Sequence, residues 1–224
     1  AGIDQHSFIP KLLKEHYENM SLEHDQALYQ SYQLAYQKHQ KKEDFLASII
    51  LKAQMLGFYP EVELTASQEE LDFLHDYLFS VDIWGRYELN LFSICTPVLS
   101  LDLFSQYTKE ILSRKDFATL FANNRNTLHT TFLNGYLLAI SQENITQADY
   151  FQQVIERHFY EENETYFRIV YLFAQGELAC LKGQIEEGLT QMKQAVDIFR
   201  ILNCQHSADY YQEALDTAFQ KYSK

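Results

Sequence analysis

GELACLKGQIEEGLTQMKQAVDIF, the stretch from Gly176 to Phe199, decides how this chain folds. It reads as two helices packed on each other. Leu172, Gly176, Ala179 and Gly183 recur at helical spacing on the first, and small residues there let a second helix approach to near backbone contact. The second runs through Leu189, Met192, Ala195, Val196 and Phe199. Gly183 stands at the bend, where a left-handed cap would end the first helix.

This order of small and large positions fits the tetratricopeptide pattern, whose unit is a helical hairpin of about 34 residues. One hairpin cannot bury its own apolar face. Stacked neighbours must cover it, so the predicted architecture is all-α: a right-handed superhelix of roughly eleven helices in stacked hairpins, with a concave inner surface.

Composition agrees. Seven glycines and three prolines in 224 residues are too few turn-formers for many short strands, and 46% hydrophobic content supports a sizeable core. Sixteen Tyr and sixteen Phe fall largely on helix faces, where they serve as core or line a groove. A net charge of −13 argues against a direct grip on nucleic acid, which needs clustered Lys and Arg. The longest apolar runs, such as Val98 to Leu103, are far short of the roughly 18 residues of a membrane span. Three cysteines, Cys95, Cys180 and Cys204, suit a reducing cytoplasm better than a disulfide framework, with Cys95 and Cys180 expected as buried thiols.

Along the chain, the spacing predicts a first helix over His6 to Met20 with Phe8, Leu12, Leu13 and Tyr17 on one face and Pro10 in its first turn. Ser21 caps a second helix through Leu28, Tyr32, Ala35 and Tyr36, and a third from Phe45 ends at Gly57. The interval Gly57 to Ala66 reads as non-helical. Ser67 and Glu70 form a capping box that opens the fourth helix. A fifth helix, Tyr87 to Cys95, and a sixth, Leu103 to Leu112, pair as a hairpin. The seventh, Asn124 to Ser141, sets Leu128, Phe132, Gly135 and Ala139 in the roles of Leu172, Gly176 and Ala179. Thr146 and Asp149 read as a capping pair for its partner. The run Glu161, Glu162, Asn163, Glu164 reads as a solvated turn, and a last helix from Ser207 to Tyr222 closes the stack. No linker interrupts the series, so residues 1–224 are expected to form one continuous domain.

The combination of DIWGRYELNLFS (Asp82 to Ser93), NNRNTL (Asn123 to Leu128), GELACLKG with the Met192 to Phe199 helix, and the ILNCQHSADYYQEAL tail resembles the carboxy-terminal domain of the Rgg/GadR/MutR regulators. The resemblance covers most of the chain. It implies a largely streptococcal transcription factor family with an amino-terminal helix-turn-helix domain and a helical repeat domain. That repeat domain is implied to bind a short, hydrophobic, re-imported signalling peptide and to form a homodimer in the cytoplasm. The helix-turn-helix domain expected just before residue 1 is absent from this sequence. The opening Ala-Gly-Ile without Met is read as a cloning remnant, and DNA binding is assigned to the parent protein only.

First helices of repeat hairpins line the concave side, which makes their polar residues the candidate peptide site. Asn90 and Asn134 each offer one acceptor and two donors, enough to hold an extended backbone without demanding a side chain; helix capping or solvation is the plain alternative. Arg86 and Arg168 can clamp a carboxylate with paired hydrogen bonds, or else make surface ion pairs. Thr130, Phe132 and Tyr171 would add a hydroxyl, an apolar wall and an amphipathic wall, or belong to the core. His129 is the best-placed candidate for a pH switch, against the alternative of an ordinary surface histidine. Trp84 reads as a packing anchor.

No His-x-x-x-His or Cys-x-x-Cys spacing supports a metal, and no cofactor is expected. Neither a glycine-rich phosphate loop nor a Gly-x-Ser-x-Gly elbow occurs, so an enzyme is not expected. The expected function is regulation by a quorum-sensing peptide; a protein-binding scaffold without a peptide effector is the alternative.

Overall fold

The computed structural model describes residues 8–19, 21–59, 61–80 and 84–222. Among them every regular element is helical. In chain order these are α1 (Phe8–Glu18), α2 (Leu22–His39), α3 (Lys42–Phe58), α4 (Gln68–Phe79), α5 (Arg86–Ile94), a 3-10 turn (Thr96–Val98), α6 (Leu101–Ser113), α7 (Phe117–Asn123), α8 (Arg125–Ser141), α9 (Ile145–Arg157), α10 (Thr165–Leu181), α11 (Ile185–Ile201) and α12 (Gln205–Tyr222). The all-α expectation holds. The helix missing from the sequence reading is α7: Phe117, Leu120 and Phe121 do recur at i, i+3 and i+4, but seven residues are too short for the pattern to repeat over a second turn, and only Leu120 is buried. The side chains of Phe8, Pro10 and Tyr17, and residues His6, Met20 and Asp82, lie outside the described residues.

The chain packs as two compact units, residues 1–127 and 128–224. The first is organised on α3, whose side chains from Phe45 to Met55 are all buried. Two of its polar members are engaged where they sit: Ser48 donates to Phe45 O at 2.8 Å, and the Lys52 ammonium reaches Glu70 Oε2 at 2.6 Å and Thr65 O at 3.1 Å. The same Glu70 oxygen accepts from Ser67 N at 2.7 Å while Ser67 Oγ accepts from Glu70 N, completing the predicted capping box. One carboxylate therefore starts α4 and neutralises a lysine with only 7% of its side chain exposed. Ser21 caps α2 through His24 N. Buried His16 and Asp25 meet at 2.8 Å and Tyr59 donates to the other Asp25 oxygen at 3.0 Å, tying α1, α2 and the end of α3. Trp84 is 1% exposed against Phe79 and Phe92, the packing anchor expected of it. Phe92 stacks on Phe104 at 4.9 Å, so α5 and α6 pack together as the hairpin reading requires.

The second unit repeats one turn three times. Glu143, Gly183 and Asn203 take positive φ at 54°, 85° and 56°. The following residues, Asn144, Gln184 and Cys204, donate back to Ala139 O, Ala179 O and Phe199 O, each at 2.9 Å. This is the six-to-one closure of a Schellman motif, which satisfies the last carbonyls of a helix and reverses the chain. Asn144 also caps α9, its side chain accepting from Gln147 N at 3.1 Å. The expected Thr146 and Asp149 pair is thereby corrected: Asn144 precedes them and supplies the cap, and Asp149 instead accepts from Lys182, just past the end of α10, at 2.6 Å.

Between α10 and α11 the backbones nearly touch. A Cβ built on Gly176 would lie 2.6 Å from Gly188 O and 2.9 Å from Met192 N. Neither backbone atom can rotate aside, so glycine on both helices sets the separation. Met192, Ala195, Val196 and Phe199 close the seam with 0% exposure.

Candidate functional site

Helix α8 is apolar nearly all round. Leu128, His129, Thr131, Phe132, Leu133, Gly135, Tyr136, Ala139 and Ile140 are buried. What is left half-exposed beyond its first turn is a narrow strip, Thr130, Asn134, Leu137 and Leu138, at spacings of four, three and one residues along one face. A hydroxyl, an amide and two isobutyl groups therefore share that face, while Phe132 has no exposed surface. Phe132 is a core residue behind the strip, not a groove wall, because two residues of advance rotate it well away from Thr130.

For His129 the structure removes the alternative reading. It is 0% exposed, not an ordinary surface histidine. Its ring lies 4.6 Å from that of Tyr160 and 5.9 Å from that of Phe167, and its Nε2 is 3.5 Å from Glu164 Oε2. Glu161, Glu162 and Asn163 are exposed as the turn reading requires, but Glu164 is half-buried and joins this cluster.

Among the described residues, Arg168 on α10 makes neither an ion pair nor an open clamp. Its Nε and Nη2 both donate to Tyr160 O, at 3.2 and 2.7 Å, and the guanidinium lies 5.4 Å from the Phe159 ring. A planar fork suits a carbonyl that the α9 to α10 loop would otherwise leave unpaired. Tyr171 is 3% exposed, donates to Glu156 Oε1 at 3.3 Å, and sits 5.7 Å from the Tyr136 ring. Burial and the Glu156 carboxylate hold its phenol protonated by raising its pKa.

In the first unit, Arg86 and Asn90 lie one turn apart on the same face of α5. Arg86 is exposed at the first helical position, where the helix dipole disfavours a cation. Asn90 is half-buried, and its Oδ1 accepts from Thr127 Oγ1 at 3.1 Å, which orients the amide and directs its two N–H donors away from Thr127. Thus Thr130 and Asn134 share one strip, Arg86 and Asn90 share another, and Phe132, Tyr171, His129 and Arg168 belong to the packing of the second unit.

Glu177 is a residue that sequence reasoning passes over, though it lies inside the GELACLKG motif. It is half-buried on α10, and desolvation pushes its carboxyl up to about 7. A lone carboxylate among the apolar and small residues of a first helix, with Gly176 and Leu178 beside it, is the signal that could have found it. Among the described residues, no group of three or more His, Cys, Asp or Glu side chains could hold a metal, and no helix is long and apolar enough to cross a membrane.

Solved structures share this fold. The SHP pheromone receptor Rgg2 of Streptococcus dysgalactiae, in a variant with one cysteine replaced by serine, matches at a TM-score of 0.71 and 25% identity over 95% of this chain and 75% of that one. A second structure of the same receptor matches at 0.69 and 25%, covering 93% and 76%. A candidate transcriptional regulator of Listeria monocytogenes matches in fold at 0.71 and 21% identity, covering 99% and 75%. Residues 26–213 match the family described as HTH-type transcriptional regulator Rgg, C-terminal domain. The chain therefore belongs to the Rgg family of transcription regulators, which is not a family of enzymes.

Proposed function

We propose that this domain is the sensor of a cytoplasmic quorum-sensing regulator, binding a short hydrophobic peptide along the exposed strip of α8. One observation carries this reading: a helix buried almost all round presents a half-open strip in which one amide, Asn134, is flanked by a threonine and two leucines. An amide pairs with the peptide backbone through both its acceptor and its donors, while Leu137 and Leu138 offer apolar contact. His129, Phe132, Arg168 and Tyr171 support the strip through the packing of the second unit. In the first unit, Asn90 offers an amide of the same kind, already oriented by Thr127, and Arg86 a cation for a peptide carboxylate. The likeness to a pheromone receptor supports the same reading.

The domain is further proposed to form a homodimer and to govern DNA binding through a helix-turn-helix domain of the parent protein. Ile201 and Leu202, exposed at the end of α11 by 76% and 50%, favour a protein partner such as a second copy. A peptide changes such an assembly only through unequal affinity for two arrangements.

Calorimetry with heptapeptides of Leu, Ile, Val and Phe tests the site. Binding with a negative heat-capacity change is expected, weakened about five- to ten-fold in Asn134→Ala and, separately, in Asn90→Ala, the loss of one net hydrogen bond each. Unchanged affinity in both variants would overturn the proposed amide clamp.

A further inference from the structure

Within the second unit, α8, α10 and α12 border a half-open recess of about 170 Å³, with Ile140, Leu181, Ala214 and Ala218 as its apolar lining and Glu177, Ser141, Thr217 and Tyr222 as its polar one. It is too small for a whole ligand, since such pockets run to several hundred Å³, but comparable to cavities that accept a benzene-sized group. It is the size of one side chain.

The charge inside is unusual. Among the described residues, no cation pairs with Glu177. Lys221, on the rim, is taken by Glu143 at 2.5 Å, and Lys182 by Asp149 at 2.6 Å. The titratable groups that interact with Glu177 from the surrounding helices are Tyr136 of α8, Cys180 of α10 and Tyr211 of α12. Burial raises the pKa of all three, so they are neutral at physiological pH and offer no compensating charge. Glu143 and Lys221 on the rim neutralise each other and add no net charge, so Glu177 is the one charge left without a counterion among the described residues of the lining. An anion is repelled from such a site, and a plain aliphatic group would cover the carboxyl without pairing it. A flexible alkyl chain ending in an ammonium satisfies both the apolar wall and the carboxylate.

We propose that this recess is a subsite for an alkylammonium group of lysine side-chain size, carried by the peptide proposed to lie along the α8 strip. The assignment rests on the peptide-sensing reading, and its first test needs no peptide. n-Butylamine and n-butanol are titrated into the full chain labelled with 13C at glutamate carboxyls. The amine moves the Glu177 resonance and lowers its titration midpoint by about one pH unit, because a cation favours the charged carboxylate. The alcohol does neither. Glu177→Gln abolishes the difference between the two, and Ala214→Leu, which fills the recess from α12, abolishes the amine response while leaving Glu177 in place.

A second arm compares heptapeptides that differ only in lysine against norleucine. Lysine gains about ten-fold in affinity through one desolvated charge-assisted contact, and the gain vanishes in Glu177→Gln. An amine that binds no better than the alcohol, or that leaves Glu177 unmoved, overturns the subsite whether or not peptides bind. Peptides that fail while the amine succeeds leave the subsite standing and remove the peptide-sensing reading.

Discussion

Gly176→Ala probes the contact on which the second unit is built. The added methyl carbon would lie 2.6 Å from Gly188 O, 2.7 Å from Met192 Cγ and 2.9 Å from Met192 N. An ordinary carbon to oxygen contact begins near 3.4 Å, so α10 and α11 must part by about 0.8 Å at that point. Overpacking of this kind costs about 1–3 kcal/mol, and the upper end applies because two of the three obstacles are backbone. Against it stands the gain from replacing a helical glycine by alanine, about 1 kcal/mol. The expected balance is a loss of about 2 kcal/mol, equivalent to roughly 4–8 °C in melting temperature for a chain of this length. Urea unfolding followed by circular dichroism measures it, with Gly57→Ala as the matched control. Near the exposed end of α3 a Cβ on Gly57 would meet only Pro97 Cγ, at an ordinary 3.5 Å. There the helix gain stands alone and the variant is stabilised by up to about 1 kcal/mol. If Gly176→Ala is neutral or stabilising like its control, the two helices are not held at backbone contact and the account of this seam fails.

Two further outcomes follow from buried carboxyls. Folding raises the Glu177 pKa from 4.5 to about 7, so the stability associated with its protonated form is full below pH 4.5 and is lost as pH rises through 7. Glu177→Gln is therefore expected to be more stable than the parent by roughly 2–3 kcal/mol at pH 8, with the difference fading towards pH 5; a pH-independent difference in urea midpoints would count against it. Lys52→Met removes the one cation bonded to Glu70 among the described residues and leaves a 5% exposed carboxylate held by Ser67 N. A loss of about 3–5 kcal/mol is expected, partly recovered in the double variant Lys52→Met, Glu70→Gln. No recovery would mean that the lysine stem, not the charge, carries the effect.

The local signals in the chain are legible where a few neighbouring residues complete a hydrogen bond. Ser21, the Ser67 and Glu70 box, and Gly183 at φ 85° each satisfy helix-end groups within six residues, so their chemistry is written in the sequence. The same turn at Glu143 and Asn203 is not legible, since only one of the three positions carries the glycine that announces it. Helices with apolar residues on every side defeat periodicity as well. Nothing in the spacing of α8 says that Phe132 and His129 face inward while Thr130 and Asn134 remain half-open, because all sides offer something to bury. Sequence by itself determined an all-helical chain, its hairpins and the small residues at their seams. Tertiary structure alone decided that Gly188 is the partner of Gly176, that Arg168 serves a loop carbonyl, and that Glu177 is walled in by α8 and α12. Those facts depend on residues brought together from separate helices, and an isolated helix carries no record of what will be packed against it.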